Sequence, residues 1–194
     1  MGADQAGQPV GVDAAGGGLA VGRRGELVDT VEDDRPAVAA GAVLGRAVEG
    51  AVTLVGILKG SFIFLADLIR TISPDVRVEV DFMSVSSYGD ATTTSGTVHI
   101  EKDLGISIEG KDVIIVEDIV DSGLTLLHVY NIFSARGARS LRVATLLEKP
   151  GNSKYNRPLD YVGFQIPNKF VVGFGLDYAQ RYRNLPDIRV LDEI

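Results

Sequence analysis

With 194 residues the chain is long enough for one well-buried domain and too short for two ordinary ones. Its balance of 45% hydrophobic and 23% charged residues is that of a globular protein, and a formal charge of −7 argues against a general nucleic-acid binder, whose footprint is basic. Cysteine is absent, which excludes disulfides, a thiol nucleophile and a cysteine-based metal site. Residues 1–22 are rich in Gly and Ala and bury too little apolar surface to offset their ordering entropy, so a flexible tail is expected there, followed by a single domain over 23–194. Arg23-Arg24 is followed by Gly25-Glu26-Leu27-Val28-Asp29, which is no apolar signal core. No apolar run reaches the length of a membrane span, and a cytoplasmic location is the expectation. Ala37 to Val48 could form an Ala-rich helix, weakened by Gly41 and Gly45.

Val52 to Leu58 reads as a buried strand, followed at once by Lys59-Gly60-Ser61. Phe62, Leu65, Leu68, Ile69 and Ile72 then recur at helical spacing. Val76, Val78, Val80 and Phe82 alternate with charged residues, as in a half-buried strand that runs on through Ser84 to Gly89. The small polar stretch Asp90 to Gly96 reads as a hairpin loop, long enough to serve as a lid, with Val98 to Ile100 returning as the second strand. After the connection through Gly105 and Gly110 comes Val113-Ile114-Ile115-Val116, a buried strand with Glu117 and Asp118 expected at its carboxyl end.

Asp121 opens a polar turn closed by Ser122, Gly123 and Thr125, and Leu126, Val129, Tyr130 and Phe133 continue as one face of a helix. A helix N-cap accounts for one of these polar residues but not for three neighbouring carboxylates. A cation, or a sugar whose hydroxyls donate to them, would relieve their repulsion, and backbone N–H groups at the helix start favour a phosphate dianion. Arg136-Gly137-Ala138 marks the helix end, and Leu141 to Leu147 the next buried strand, closed by Glu148-Lys149-Pro150. Strand and helix alternate, which predicts one α/β domain with a parallel core and the site at the carboxyl edge of the sheet.

The stretch Val116-Glu117-Asp118-Ile119-Val120-Asp121-Ser122-Gly123-Leu124-Thr125 resembles the phosphoribosyl pyrophosphate signature of type I phosphoribosyltransferases, in the form closest to hypoxanthine-guanine phosphoribosyltransferases. Residues 161–187, from Tyr161 through Lys169-Phe170-Val171 and Asp177 to Arg183-Asn184-Leu185-Pro186, are similar to the segment that forms a hood over the base in the same family. The resemblance implies the type I phosphoribosyltransferase fold: a central, mainly parallel sheet flanked by helices, with a small hood subdomain over the base site. Family members usually carry a more strongly patterned helix before the first core strand than residues 26–50 offer.

The resemblance also implies roles. Glu117 and Asp118 would accept from the ribose hydroxyls, directly or through waters of a magnesium ion, and Ser122, Gly123, Leu124 and Thr125 would cradle the 5′-phosphate. Asp121 would sit near N7 of the base as proton acceptor. Leu58, Lys59 and Gly60 would be the pyrophosphate loop, with a non-proline cis peptide as a family trait, and Arg183 would reach the pyrophosphate. Asp177 would reach a magnesium ion on that side. Lys149, a donor only, would donate to the 6-oxo group of a purine. Phe170 would stack on the ring, the main chain at Val171 would read its edge, and the carbonyl near Lys169 would take the exocyclic amine of guanine. Ser87 and Tyr88 would make contacts only when the loop closes.

The reaction implied is displacement of pyrophosphate from phosphoribosyl pyrophosphate by hypoxanthine or guanine, giving IMP or GMP. The implied cofactor is magnesium and the implied assembly a homodimer or homotetramer. Two alternatives stand beside it. One is a regulator that keeps the donor motif and binds nucleic acid, against which the acidic balance and the complete hood count. The other is an enzyme for a different base, xanthine or adenine.

Overall fold

In the computed structural model, residues 50–87, 98–151 and 153–191 are described, with Ser87 and Val98 described in backbone only. The expectations for residues 1–49, for Tyr88 and for the loop Asp90–Gly96 lie outside them. Among the described residues, eight strands and two helices follow one another as β1 (Ala51–Leu58), α1 (Phe62–Ile69), β2 (Arg77–Ser87), β3 (Val98–Lys102), β4 (Asp112–Val120), α2 (Leu124–Ala135), β5 (Ser140–Glu148), β6 (Tyr161–Gln165), β7 (Val171–Val172) and β8 (Arg189–Val190).

Six of these strands form one sheet in the order β3-β2-β1-β4-β5-β6. All neighbours are parallel except the hairpin partners β2 and β3. The chain winds outward from β1 in one direction and from β4 in the other, so the gap between their carboxyl ends is the topological switch point, where open α/β sheets place ligands.

The central strands are apolar on both faces because both are covered. On β4, Ile114 and Val116 join a cluster with Phe64, Leu65 and Leu68 of α1, while Val113 and Ile115 join one with Leu126, Val129 and Phe133 of α2. The α2 face is the one its spacing predicts. In α1 the outcome differs: Phe62 is 42% exposed and Phe64, not Phe62, is buried. Both residues are apolar, so the period alone does not select between the 62/65/69 and 64/65/68 faces; packing against Gly56 and β1 does. The α1 layer also takes up Ile166, Val171, Leu176, Ile188 and Val190, which anchors the 166–190 segment to that side of the sheet.

Two further expectations are corrected. Strand β4 runs through Val120, so Glu117 and Asp118 lie inside the strand and not beyond its end. Its last turns pair with β5 as far as Val120 and Glu148, and that pairing extends the strand past the apolar run. The segment from Tyr161, assigned whole to the hood, begins as β6, the sixth strand of the main sheet. The hood proper starts after Gln165 and is pinned by the antiparallel pair β7–β8.

Candidate active site

The loop after β1 and the end of β4 meet at the switch point. Together with Val85, Thr125, Asp177 and Arg183, residues Leu58, Lys59, Gly60, Glu117 and Asp118 line one cavity of about 260 Å³. The Leu58–Lys59 peptide is cis, as the resemblance implied. Gly60 lies so close to Asp118 that a Cβ on it would overlap Oδ2 of that carboxylate, which is why no side chain fits there. On its other side Gly60 is roofed by the hood: a Cβ on Gly175, at φ +99°, would overlap the Gly60 carbonyl oxygen. The turn that presents Gly175 is closed by Arg183, whose Nη1 donates to the Gly175 carbonyl at 2.7 Å and whose Nη2 lies 2.7 Å from Asp177 Oδ1.

Burial pushes the Glu117 carboxyl well above the usual carboxylate range, with the neighbouring Asp118 charge acting the same way. Burial likewise pushes Asp118 up to about 6, against hydrogen bonds from its own N–H and that of Ile119 and against the Arg183 charge. Asp118 has no salt-bridge partner within 4 Å among the described residues, so a buried carboxylate pair with Asp177 beside it lacks a directly paired cation. Hard oxygen donors with unbalanced negative charge fit magnesium, which usually takes one or two carboxylates and completes its shell with phosphate oxygens and water. Among the described residues no three acidic or histidine side chains form a metal-holding group.

The turn that opens α2 lies next to this cavity, with Thr125 in its lining. Gly123 precedes α2 at φ +68°, packed so tightly on Ser153 and Tyr155 that a Cβ would overlap them. The Lys154 N–H fastens the turn from behind by donating to the Ser122 carbonyl at 2.6 Å. Leu127 N–H donates back to the Gly123 carbonyl at 2.9 Å, so the N–H groups before it in the first turn have no intrahelical acceptor. Thr125 belongs to that first turn of α2 and not to the turn before it. Leu124 is 49% exposed, which accords with a backbone-only role.

On the remaining side, Lys149 reaches Asp121: Nζ donates to Oδ2 at 2.8 Å, and the Lys149 N–H donates to the Val120 carbonyl at 2.9 Å. The lysine side chain is enclosed while the aspartate is half exposed. Phe170 is 39% exposed, with the Tyr178 ring meeting it edge-to-face at 5.7 Å and 85°. Leu191 N–H donates to the Phe170 carbonyl at 2.9 Å, which makes Val171 and Val190 a non-hydrogen-bonded antiparallel pair. In such a pair the N–H and C=O of Val171 face away from β8. Lys169 is exposed and its N–H is folded back onto the Pro167 carbonyl at 2.7 Å. Of the residues singled out from the sequence, Asp121, Ser122, Gly123, Leu124, Lys149, Lys169, Phe170 and Val171 lie outside the lining of the 260 Å³ cavity.

A second cavity of about 220 Å³ opens at the opposite, amino-terminal edge of β1, β2 and β4. Most of its charges are already paired, Lys111 with Glu79 and Arg139 with Asp112.

A family model described as "Phosphoribosyl transferase domain" matches residues 37–179. Over 137 residues the chain is 55% identical to the hypoxanthine-guanine phosphoribosyltransferase of Bacillus subtilis (strain 168), covering 71% of this chain and 75% of that protein. The chain belongs to the hypoxanthine-guanine phosphoribosyltransferase family. The hypoxanthine phosphoribosyltransferase of Escherichia coli (strain K12) is also 55% identical over 137 residues, 71% of this chain and 76% of that one. Among solved structures, a hypoxanthine-guanine phosphoribosyltransferase from Bacillus anthracis superposes with TM-score 0.73 at 44% identity, covering 80% of this chain and 89% of that one. A hypoxanthine phosphoribosyltransferase from Staphylococcus aureus gives TM-score 0.74 at 45% identity, covering 80% and 86%.

Three features of this phosphoribosyltransferase have no signature in its sequence. Val85 and Ile57 border the cavity but look like ordinary strand residues. Phe174, Ala179, Gln180 and Tyr182 all adopt positive φ, between 50° and 76°. Non-glycine residues there are uncommon, and a run of them over nine residues marks a hood backbone held by its contacts and not by local preference. The Lys149–Asp121 contact joins residues 28 positions apart, with no local pattern linking them.

Proposed function

We propose that the protein transfers the 5-phosphoribosyl group of phosphoribosyl pyrophosphate to hypoxanthine or guanine, releasing pyrophosphate and forming IMP or GMP. The observation that carries this reading is the convergence of Gly60, Asp118, Asp177 and Arg183 on one cavity, beside a helix start built for a phosphate. In the reaction the bond from C1 of the ribose to the pyrophosphate oxygen breaks and a bond from C1 to a purine nitrogen forms. Glu117 and Asp118 accept from the ribose hydroxyls. The Ser122–Thr125 turn fixes the 5′-phosphate, and the Leu58–Gly60 loop with Arg183 holds the leaving group. Asp121 accepts the proton that the base gives up near N7, and Lys149 donates to the 6-oxo oxygen; an amino group at that position, itself a donor, is mismatched. Phe170 stacks on the base and the main chain of Val171 reads its edge.

Magnesium, held through Asp118, Asp177 and the donor's own oxygens, would supply Lewis-acid stabilisation of the departing pyrophosphate. Ser87 and Tyr88 belong to this reading as contacts of the closed state. So do a homodimer or homotetramer, a cytoplasmic location, and a single domain over 23–194 behind a tail of 22 residues. Among the described residues no helix is long and apolar enough to cross a membrane.

The test is pyrophosphate release from phosphoribosyl pyrophosphate and magnesium with each purine in turn. Release with hypoxanthine and guanine and not with adenine is expected. Release with none of the purines would overturn the reading, and release with xanthine alone would move it to the xanthine enzymes.

A further inference from the structure

We propose that Glu101 is a positioning residue of the leaving-group side, whose carboxylate holds down the positive field of Lys59 and so weakens the hold of the 58–60 loop on pyrophosphate. The inference rests on the pyrophosphate role given above to that loop.

The geometry starts with register. Leu58, the last residue of β1, pairs with Ser84 of β2, so Lys59 leaves the sheet directly beside Ser84. Across β2 lies β3, where Ser84 pairs with Lys102 but Val85 pairs with Ile100. One residue of β3 is therefore extra, and it is Glu101. A bulge of this kind breaks the alternation of the strand and re-aims a side chain, and bulges gather beside active sites. Here it turns the carboxylate of Glu101 back over β2: Ser84 Oγ donates to Oε2 at 2.9 Å, and the Ser86 hydroxyl gives a second hydrogen bond. The two serines flank Val85, which lines the cavity together with Lys59 and Gly60.

The neighbouring charges indicate the direction of the effect. The cation next in sequence, Lys102, is turned away, with Nζ donating to the Phe82 carbonyl at 2.6 Å and lying 3.7 Å from Asp81. The hydrogen bonds from Ser84 and Ser86 hold the Glu101 carboxyl below the usual range, and the charges of Lys59 and His99 add to them in the same direction. A plain structural role needs only an acceptor for two hydroxyls, which an amide provides equally well. A full negative charge is needed only if its field matters. The field it opposes is that of the loop facing the leaving group.

The test titrates pyrophosphate with magnesium into the full chain by calorimetry, with no base and no turnover. Glu101→Gln keeps the serine acceptor and removes the charge; it should tighten pyrophosphate binding about threefold at low ionic strength, the size of a surface charge pair in a water-like dielectric. The gain should shrink toward unity in about 0.5 M salt, where such pairs are screened. In a Lys59→Gln background the same change should give a similar gain, because the two charges act on the pyrophosphate additively. Unchanged or weakened binding in Glu101→Gln overturns the inference, as does a gain that does not shrink with salt. Because the readout is binding, it separates from the proposed function. A chain that releases no pyrophosphate with any purine but still tightens in Glu101→Gln refutes the transfer reaction and leaves this inference standing. A wild-type chain that does not bind pyrophosphate at all overturns both.

Discussion

Replacing Asp118 by Asn should stabilise the ligand-free protein about twice as much at pH 8 as at pH 5, and not at all below about pH 3.8. The carboxyl is raised from 3.8 to about 6, with burial the largest cause. A carboxyl raised in the folded state binds its proton more tightly there than in the unfolded chain, so folding is favoured while it is protonated. Its contribution is fully present below about 3.8 and is lost as pH rises through about 6. At about 1.4 kcal/mol for each pH unit between those two values, the ionised group costs ~3 kcal/mol at pH 8. That is an upper bound, because part of Asp118 opens onto the cavity and its water. Glu117, raised in the same direction, steepens the fall in the wild type. Asn has the shape of Asp and fits against Gly60, so the substitution removes charge without opening a cavity. Urea denaturation of metal-free protein at pH 5, 6, 7 and 8 measures the effect; urea is chosen because guanidinium would screen it. Curves for wild type and Asp118→Asn that stay parallel from pH 5 to 8 would refute the argument. The same variant should bind the ribosyl donor worse, since a functional site keeps a charge that stability alone would discard.

Gly60→Ala should lose about 100-fold in kcat/KM, because a Cβ there displaces the Asp118 carboxylate, and misplacement by about 1 Å costs that much; a loss below fivefold in steady-state assays would count against the contact. Lys149→Ala should depress 6-oxopurine turnover by about 100-fold or more, while Asp121→Asn should lower kcat by a similar factor with the donor KM held within a few fold; unchanged kinetics in either removes that residue from the reaction. Gly123→Ala meets both a positive φ and the Ser153–Tyr155 wall, so its melting temperature should fall and its donor KM rise together, whereas a rise in KM without loss of stability would place the fault in the phosphate contact alone. Chelation of magnesium should weaken pyrophosphate binding, because without the cation Asp118 and Asp177 face the same cavity as the anionic ligand; binding unchanged by EDTA would contradict this.

The sequence is most legible where one period or one short run decides the outcome. Strands β1, β4 and β5 are apolar runs buried on both faces, and α2 has a single apolar stripe, so their positions follow from composition. The ends are less legible, because β4 is extended to Val120 by pairing with β5, a partner 28 residues away. The face of α1 is ambiguous in the sequence, since Phe62 and Phe64 are equally apolar and only the packed neighbours separate them. Among site residues, the acidic signature and the Lys59-Gly60 turn could be found as local patterns. Glu101 could not be: it becomes a site neighbour only through a one-residue bulge, which depends on the register between two strands.

The backbone contacts also explain why so few polar side chains need to be exact. Gly175 rests on Gly60 and Gly60 rests on Asp118, a stack in which each step has no room for a side chain. The hood is therefore referenced to the 58–60 loop, and the loop to the Asp118 carboxylate near the end of β4. Arg183 closes the same path by bonding the Gly175 carbonyl and Asp177 at once. Asp121 follows β4 by one residue and Lys149 follows β5 by one, and the two parallel strands hold their pair together. On the proposed roles, the groups for the leaving group, the sugar and the base are thus fixed to adjacent strand ends of one sheet. A displacement at C1 needs that arrangement, because the attacking nitrogen and the departing oxygen must be held on opposite sides of one carbon before either bond changes.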